Sequence, residues 1–235
     1  MKMKKVTGLL AMTVAAVMAM TGCGGNDAAD DSAGNKVYHI GIIQQMEHGS
    51  LDQATKGFED KLTELLGDKV KFDYQNAQGE QANCSSIATT FVSNNYDLIL
   101  ANATTALQAS AAATSTIPVL GTSVTDYATA LDIDDWTGAT GKNISGTSDL
   151  APLDQQAAMV KELFPDAKTV GILYCSGEAN SVYQANVVKE CLEADGLTVN
   201  IFTFADSNDV STVTTSAVAE SDVLYLPLIH ISEPT

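Results

Sequence analysis

The sequence contains no arginine, because all twelve of its basic residues are lysines, and they stand against 29 acidic residues. A chain with a formal charge of −17 has no electrostatic attraction for nucleic acid, so we expect no nucleic-acid partner. The lack of a guanidinium group also limits how an anion can be bound. A ligand carboxylate would have to be held by backbone amides and hydroxyl groups.

Histidine and cysteine are also scarce, with three and four residues respectively. Cys84, Cys175 and Cys191 form no CxxC pair and have no histidine near them in sequence, which gives no support for a metal site. The first strand-to-helix turn (Gly41 to Met46) is not GxGxxG, and Ser176 does not lie in a GxSxG turn. We therefore expect no cofactor and no catalytic activity.

The N-terminus has the pattern of a targeting segment. Three lysines in the first five residues precede an apolar run from Val6 to Met20 that is short for a membrane span. The run ends in Thr21-Gly22-Cys23, which resembles the lipobox of bacterial lipoproteins, whose cysteine is acylated. This predicts a signal peptide over 1–22, lipidation of Cys23 and a membrane anchor outside the cytoplasm. A plain secretory peptide with an incidental cysteine is the alternative.

The rest of the chain alternates between short apolar runs and helical patterns. Residues 23–35 have no periodicity and are predicted to be a flexible tether. Two series of βα units, separated by a longer interval, predict an α/β protein with two lobes, over 36–147 and 148–235. The predicted strands are Val37–Ile43, Val70–Tyr74, Asp97–Leu100, Ile117–Leu120, Thr169–Tyr174, Thr198–Phe204 and Asp222–Leu226.

Helix starts and the end of the chain also carry signals. Ser50 with Gln53, and Ser181 with Gln184, have capping-box spacing. Residues 228–235 (LIHISEPT) follow neither a loop nor a helix pattern, so we expect a second lobe that is incomplete, a tail that is not native sequence, and ligand binding that is weak or absent. Ligands of parallel sheets bind beyond the carboxyl ends of the strands. The polar loops that follow the strands are therefore predicted to form one binding cleft.

Several of these loops resemble one known family. The segments IGIIQQMEHGSLDQATKGF, FDYQNAQGE, DLILANATTALQAS, IPVLGTSVTD, NISGTSDL and GILYCSGEANSV are similar to the substrate-binding lipoproteins of ABC importers of the tryptophan/tyrosine-binding type. The likeness extends from Val37 to about Pro227. It implies two Rossmann-like lobes of the periplasmic-binding-protein type I kind, and a small zwitterion, an aromatic amino acid above all, delivered to a permease and its ATPase.

The resemblance also implies a set of ligand-binding residues at the strand ends. They come from the loops after the first, third and fourth strands, from the segment between the lobes and from the first loop of the second lobe. They are Gln44, Glu47, His48, Thr104, Thr105, Ser123, Thr125, Asp126, Ser148, Asp149, Ser176, Gly177, Glu178 and Asn180.

Elementary chemistry assigns roles to some of them. Thr104 and Thr105 begin a predicted helix, where hydroxyl groups and unpaired amides favour a carboxylate, although an N-cap explains Thr104 equally well. Asp149 and Glu178 are the candidate acceptors for an ammonium group, with a solvated loop charge as the alternative for Glu178. His48 is either a ligand contact or a surface histidine.

Other candidates have an ordinary structural explanation beside the functional one. Asp126 is either a ligand acceptor or a helix cap. For the apolar part of a ligand the chain offers Met46, Tyr127, Tyr174 and Tyr183, of which we expect Tyr174 in the core and give Tyr183 no role. Two other functions fit the same fold: the extracellular sensor of a signalling system, and a receptor for a sugar or nucleoside.

Overall fold

The computed structural model describes residues 36–227, whose strands form two parallel β-sheets within the unit that begins at Val37. The larger sheet has the strand order β2-β1-β3-β4-β5. All its pairings are parallel, which confirms the predicted α/β class with parallel sheets. Its strands are β1 (Tyr38–Gln44), β2 (Val70–Asn76), β3 (Leu98–Asn102), β4 (Val119–Val124) and β5 (Ile144–Ser148).

The smaller sheet is also parallel and has the order β7-β6-β8. Its strands are β6 (Thr169–Cys175), β7 (Thr198–Phe204) and β8 (Val223–Tyr225). The central strand β6 is buried along most of its length, as its continuous apolar sequence predicts for a strand covered on both faces. The bounds of β7 are those predicted, and the other strands differ from prediction by at most four residues at an end.

Seven α-helices connect the strands within residues 36–227. They are α1 (Gly49–Leu66), α2 (Gln81–Ser93), α3 (Thr104–Ala113), α4 (Tyr127–Leu131), α5 (Leu153–Leu163), α6 (Ala179–Ala194) and α7 (Val210–Ala219), and a 3₁₀ turn (Gly67–Lys69) follows α1. The alanine-rich α3 is largely buried, because small side chains allow a helix to approach the sheet closely. Helix α6 packs on α5 and also contacts α3 and α4 of the larger sheet's layer.

Both predicted capping boxes are wrong in the same way, because each helix begins earlier than its serine. Helix α1 begins at Gly49, with His48 as the N-cap, whose imidazole accepts a hydrogen bond from the Ser50 amide. Helix α6 begins at Ala179, and the Ser181 hydroxyl donates to the carboxylate of Glu178, the residue before the helix. The side chains of Gln53 and Gln184 are therefore not needed as caps.

A pair of glycines brings β4 and β5 close together beside Tyr127. Gly121 of β4 lies opposite Gly146 of β5, and a methyl group on either glycine would collide with the Tyr127 hydroxyl. The hydroxyl donates to the carbonyl of Thr147 at 3.3 Å. Burial, with a smaller contribution from the Asp149 charge, raises the pKa of Tyr127 to about 12. This contact fixes the end of β5, from which the chain continues to Asp149.

The predicted signal peptide, Cys23, the tether over 23–35 and the tail over 228–235 lie outside the described residues. Within residues 36–227, no helix combines the length and the apolar character needed to cross a membrane.

Candidate functional site

Loops at the carboxyl ends of the larger sheet and the start of α6 enclose one cavity. It contains about 110 Å³ of space for water-sized molecules. This is the arrangement expected of a parallel α/β protein, whose ligands bind beyond the carboxyl ends of the strands. The cavity is lined by His48, Ser50, Leu51, Ala103, Thr104, Ser123, Thr125, Asp149, Asn180 and Gln184.

One ring nitrogen of His48 forms a hydrogen bond within the protein, and the other has no hydrogen-bond partner among the described residues. Its Nδ1 accepts a hydrogen bond from the Ser50 amide at 3.2 Å and so caps α1. In a neutral imidazole, an accepting Nδ1 requires the proton to be on Nε2. Nε2 is buried and has no hydrogen-bond partner among the described residues. Because His48 lines the cavity and buried donors are nearly always hydrogen-bonded, this donor is a candidate partner for a ligand acceptor.

The start of α3 forms a second wall of the cavity, and the residue before the helix has an unusual backbone conformation. Ala103, the N-cap residue, has φ 89° and ψ 163°, a region occupied almost only by glycine. Its amide donates to the carbonyl of Thr122 at 3.0 Å, which holds it in this conformation. Thr104, the first residue of α3, is buried and lines the cavity at the positive end of the helix dipole.

The strain at Ala103 predicts an unusual response to glycine. Removing a buried methyl group and adding backbone freedom each cost about 0.5–1 kcal/mol, whereas this conformation costs an alanine about 1–3 kcal/mol. We expect Ala103→Gly to leave the free energy of unfolding unchanged or to raise it by up to about 1 kcal/mol. Ala101→Gly, at a buried position of β3, should instead lower it by about 1–2 kcal/mol. Equal losses in denaturant titrations would show that Ala103 is unstrained.

Asp149 is the acidic residue on the cavity wall. Its amide donates to the carbonyl of Val124 at 3.0 Å, and the Ser148 hydroxyl donates to the carbonyl of Thr125 at 2.8 Å, so the two strand ends are tied together. Asp149 as a whole residue is exposed. Partial burial of its carboxyl group nevertheless raises the pKa of that group, and hydrogen bonding from its own amide and from Thr125 lowers the pKa by a smaller amount.

Helix α6 closes the cavity from the side of the smaller sheet. Asn180 and Gln184 are four residues apart and therefore lie on one face of the helix. Both are buried, at 6% and 2% exposure. The Asn180 Oδ1 atom has no hydrogen-bond partner among the described residues, whereas the Gln184 amide donates to the Thr125 hydroxyl oxygen at 3.5 Å.

The structure brings together six of the fourteen residues that the resemblance implied, and the other eight do not line this cavity. The six are His48, Thr104, Ser123, Thr125, Asp149 and Asn180. The eight are Gln44, Glu47, Thr105, Asp126, Ser148, Ser176, Gly177 and Glu178.

Most of the eight have structural roles nearby. Gln44 is fully buried, donates to Asp52 and accepts from Thr55, so it joins β1 to α1. Asp126 caps α4 through a 2.7 Å hydrogen bond from the Thr129 amide, the cap alternative that the sequence left open. Thr105 donates its amide to the Gln45 side chain at 3.4 Å.

Predicted site residues in the loop before α6 also have structural roles outside the cavity. Glu178 is buried at 9% exposure and accepts from the Ser181 hydroxyl, so it is not a solvated loop charge. The Ser176 hydroxyl donates to the carbonyl of Phe204 at 3.3 Å, and Gly177 is exposed. Glu47 is also exposed. None of these side chains reaches the cavity wall.

The four residues considered for the apolar part of a ligand do not line the cavity either. Tyr174 lies in the core of the smaller sheet, as predicted, and Tyr183 packs against the same core. The apolar contacts of the cavity come instead from Leu51 and Ala103.

Sequence reasoning missed Ser50, Leu51, Ala103 and Gln184. The signal for Gln184 was its four-residue spacing from Asn180, which places both on one helix face once the true start of α6 is known. Ala103 carried no signal, because its role depends on a backbone conformation that its side chain does not favour. Within residues 36–227 no group of His, Cys, Asp and Glu side chains is arranged to hold a metal ion.

Comparison with known proteins assigns the chain to a family. Residues 39–231 match the family model described as ABC transporter substrate binding protein. The chain belongs to this family. The family is a class of solute-binding proteins and not of enzymes, which confirms the expectation that this substrate-binding protein is not an enzyme. Substrate-binding proteins of ABC importers are extracytoplasmic.

Three relatives are informative. A curated "Tyrosine-binding protein" from Clostridioides difficile is 38% identical, over 96% of this chain and 68% of its own length. A solved structure of an ABC domain in complex with L-Trp, from Streptococcus pneumonia, is 35% identical and superimposes with a TM-score of 0.77 over 82% of this chain and 66% of its own. This substrate-binding protein therefore spans about two thirds of the length of these relatives.

The third relative is a ligand-free, open structure of a substrate-binding protein with adhesive properties from Clostridium difficile. It is 37% identical over 82% of this chain and 66% of its own, with a TM-score of 0.56. The coverage equals that of the L-Trp complex and the identity is slightly higher, but the superposition is poorer. The substrate-binding protein thus has an arrangement closer to that of the L-Trp complex than to that of the open structure.

Proposed function

We propose that this chain is the receptor of an ABC importer and binds a zwitterionic aromatic amino acid in the cavity between the two sheets. The observation that carries the proposal is that His48 and Asn180, which line that cavity together with Asp149, each have a buried polar atom without a hydrogen-bond partner among the described residues. Buried polar atoms are nearly always hydrogen-bonded, so two of them on one cavity favour a ligand that completes them.

The donors lie on the side formed by α1 and α3. His48 and Thr104 line the cavity and carry an imidazole N–H and a hydroxyl group, and the positive end of the α3 dipole adds to these donors. Together they suit a ligand carboxylate in a chain that has no arginine.

The acceptors lie on the side formed by the end of β5 and the start of α6. Asp149 is the one carboxylate among the ten residues that line the cavity, and Asn180 Oδ1 adds a neutral acceptor. An ionised carboxylate is a strong acceptor for an ammonium group. The two sides therefore fit the two charges of an amino acid, and the names of the relatives favour an aromatic one.

The comparison of superpositions supports a closed arrangement, because the chain superimposes better on the L-Trp complex than on the open structure. The cavity's 110 Å³ is below the roughly 300–1,000 Å³ of most small-molecule sites, so an aromatic amino acid needs the cavity to widen. We propose that the larger-sheet lobe and the smaller-sheet lobe separate to admit the ligand and close on it, because closure follows from higher affinity for the closed state.

The remaining parts of the proposal concern location and partners. We propose a membrane anchor through acylated Cys23, based on the lipobox-like Thr21-Gly22-Cys23 sequence. Mass spectrometry of the membrane fraction tests this, and an unmodified Cys23 would refute it. The proposed partners are a permease and its ATPase, which would take the amino acid from the closed receptor.

Isothermal titration of the chain with the twenty amino acids, and with representative sugars and nucleosides, tests the ligand class. We expect heat from L-tyrosine or L-tryptophan at concentrations up to the millimolar range, and none from the sugars or nucleosides. Binding of a sugar or nucleoside alone would replace this proposal with the receptor alternative named from the sequence. No heat from any amino acid would refute it.

A further inference from the structure

Asn102 is a polar residue at the end of a strand that is otherwise apolar. It is the last residue of β3, it follows Leu100 and Ala101, and it is fully buried, with 0% exposure. Its Oδ1 atom has no hydrogen-bond partner among the described residues. A buried acceptor without a partner lowers the stability of the fold, so packing alone does not explain an asparagine at this position.

The amide group of Asn102 connects β3 to the beginning of α1. Its Nδ2 atom donates to the carbonyl of Leu51 at 2.8 Å and to the Thr55 hydroxyl oxygen at 2.9 Å. A backbone carbonyl can only accept a hydrogen bond, so the NH2 group must be the one that faces Leu51, which fixes the orientation of the amide. Leu51 belongs to the first turn of α1 and lines the cavity.

Thr55 extends this connection to β1. Its hydroxyl donates to the Gln44 Oε1 atom at 2.8 Å, while Gln44 Nε2 donates to the Met46 carbonyl at 2.8 Å and to Asp52 at 2.6 Å. The side chains of Gln44, Thr55 and Asn102 are buried. Together these bonds join the carboxyl ends of the paired strands β1 and β3 to α1, and we call them the Asn102 network.

The Asn102 network connects the two helix starts that carry the proposed carboxylate donors. Asn102 is two residues before Thr104, the first residue of α3, and Leu51 is three residues after His48, the N-cap of α1. A carboxylate that is held by two donors needs both of them at hydrogen-bond distance. The separation of the two helix starts therefore affects how tightly the carboxylate is bound.

We infer that Asn102 is a positioning residue, which holds the start of α1 at the distance from the start of α3 that the ligand carboxylate requires. The inference rests on the proposed function, because it concerns the carboxylate side of the same cavity. Asn102 does not line the cavity, so it acts through His48 and Thr104 and not by contact with the ligand. The ammonium side, with Asp149 and Asn180, belongs to other elements of the fold.

A pair of ligands separates this role from a general effect on the fold. L-tyrosine and tyramine differ by the carboxylate, so a residue that positions the carboxylate donors affects the first and not the second. For Asn102→Leu in the full chain, we expect an affinity for L-tyrosine lowered about five- to twentyfold, because hydrogen bonds to a charged group are weakened. The affinity for tyramine should change less than twofold. Titration calorimetry measures both.

Asn143→Leu is the matched control. The Nδ2 atom of Asn143 also donates to two acceptors, the carbonyls of Ile117 at 2.5 Å and Thr114 at 3.4 Å. Asn143 lies directly before β5, at the amino edge of the larger sheet, whereas the cavity lies beyond the carboxyl ends of the strands. This variant loses the same kind of side-chain contact and should change the affinity for neither ligand.

Thr55 provides a second test, which needs L-tyrosine alone. Thr55→Val keeps the shape of the side chain but removes the hydroxyl that joins Asn102 to Gln44, so it should lower the affinity for L-tyrosine about three- to tenfold. Thr55→Ser keeps the hydroxyl and should restore the affinity to within twofold of the wild type. Equal affinities in these two variants would overturn the role of the Asn102 network, even where tyramine binds too weakly to give heat.

The outcomes also distinguish this role from the proposed function. Equal losses for L-tyrosine and tyramine in Asn102→Leu, or no loss for either, would overturn the role of Asn102 while leaving the binding of L-tyrosine established. A wild-type chain that binds tyramine as tightly as L-tyrosine, or that binds neither L-tyrosine nor L-tryptophan, would overturn the proposed function and the role together.

Discussion

Asp149→Asn should lower the affinity for L-tyrosine or L-tryptophan about 10- to 100-fold. Hydrogen bonds to charged groups contribute about 1.5–3 kcal/mol, and asparagine keeps the shape of the side chain while removing its charge. Asp149 is the one carboxylate on the cavity wall, so the described residues that line the cavity offer no substitute for it. Titration calorimetry with the wild-type chain and the variant measures the effect.

The control for this variant is Asp154→Asn, an exposed acidic residue in the first turn of α5, which should leave the affinity unchanged. Loss of charge at Asp149 should also not destabilise the free protein. Its folded-state pKa is raised, so the folded protein binds that proton more tightly than the unfolded chain does, and the ionised form destabilises the fold at neutral pH. An unchanged affinity in Asp149→Asn would remove Asp149 from the site.

The raised pKa of Asp149 also predicts how the affinity for the ligand changes with pH. Ligand affinity requires the ionised carboxylate, so it should fall as the pH decreases through a midpoint above the ordinary value of 3.8 for aspartate. The dependence should disappear in Asp149→Asn. The titratable groups near this carboxylate are Tyr127, whose pKa of about 12 keeps it neutral over this range, and His48 on the same cavity.

Gly146→Ala should have the largest effect on stability, a loss of about 3 kcal/mol or more in the free energy of unfolding. A methyl group at this position would penetrate the carbonyl oxygen of Gly121 on the paired strand, as well as the Tyr127 hydroxyl. Overpacking costs typically 1–3 kcal/mol when side chains can adjust, and a backbone carbonyl in a sheet cannot move aside as a side chain can. Denaturant titration followed by circular dichroism measures the loss.

Gly57→Ala is the matched substitution for comparison. Gly57 lies inside α1, and an added methyl group would meet no atom within 4 Å. Alanine is favoured over glycine in a helix, so this variant should gain about 0.5–1 kcal/mol. A Gly146→Ala variant as stable as the wild type would show that β4 and β5 are not held as closely as described, and the position of Asp149 would then lose its basis.

Strand positions were predictable because the apolar runs are continuous and bounded by polar loops. The run from Thr169 to Tyr174 is followed at once by Cys175-Ser176-Gly177, and the strand ends at Cys175. The helix starts were less predictable, because local capping signals compete. Ser50 and Ser181 both had the expected spacing, but the chain begins each helix earlier, with His48 and Glu178 before it.

The site was predictable as a region and less so as a set of side chains. Topology alone places the loops after β1, β3 and β4 at one edge of the sheet, so Thr104, Ser123 and Thr125 were expected there. Whether a polar side chain faces the cavity or satisfies a neighbouring backbone group depends on angstrom-scale geometry. Gln44 and Asp126 form hydrogen bonds with such local partners and do not line this cavity.

The most direct test is a crystal structure of the chain with L-tyrosine. We predict the ammonium nitrogen within about 2.7–3.2 Å of the Asp149 carboxylate and of Asn180 Oδ1, and the carboxylate next to His48 Nε2 and the start of α3. L-tyrosine bound elsewhere, or bound in this cavity with its carboxylate toward Asp149, would contradict the account.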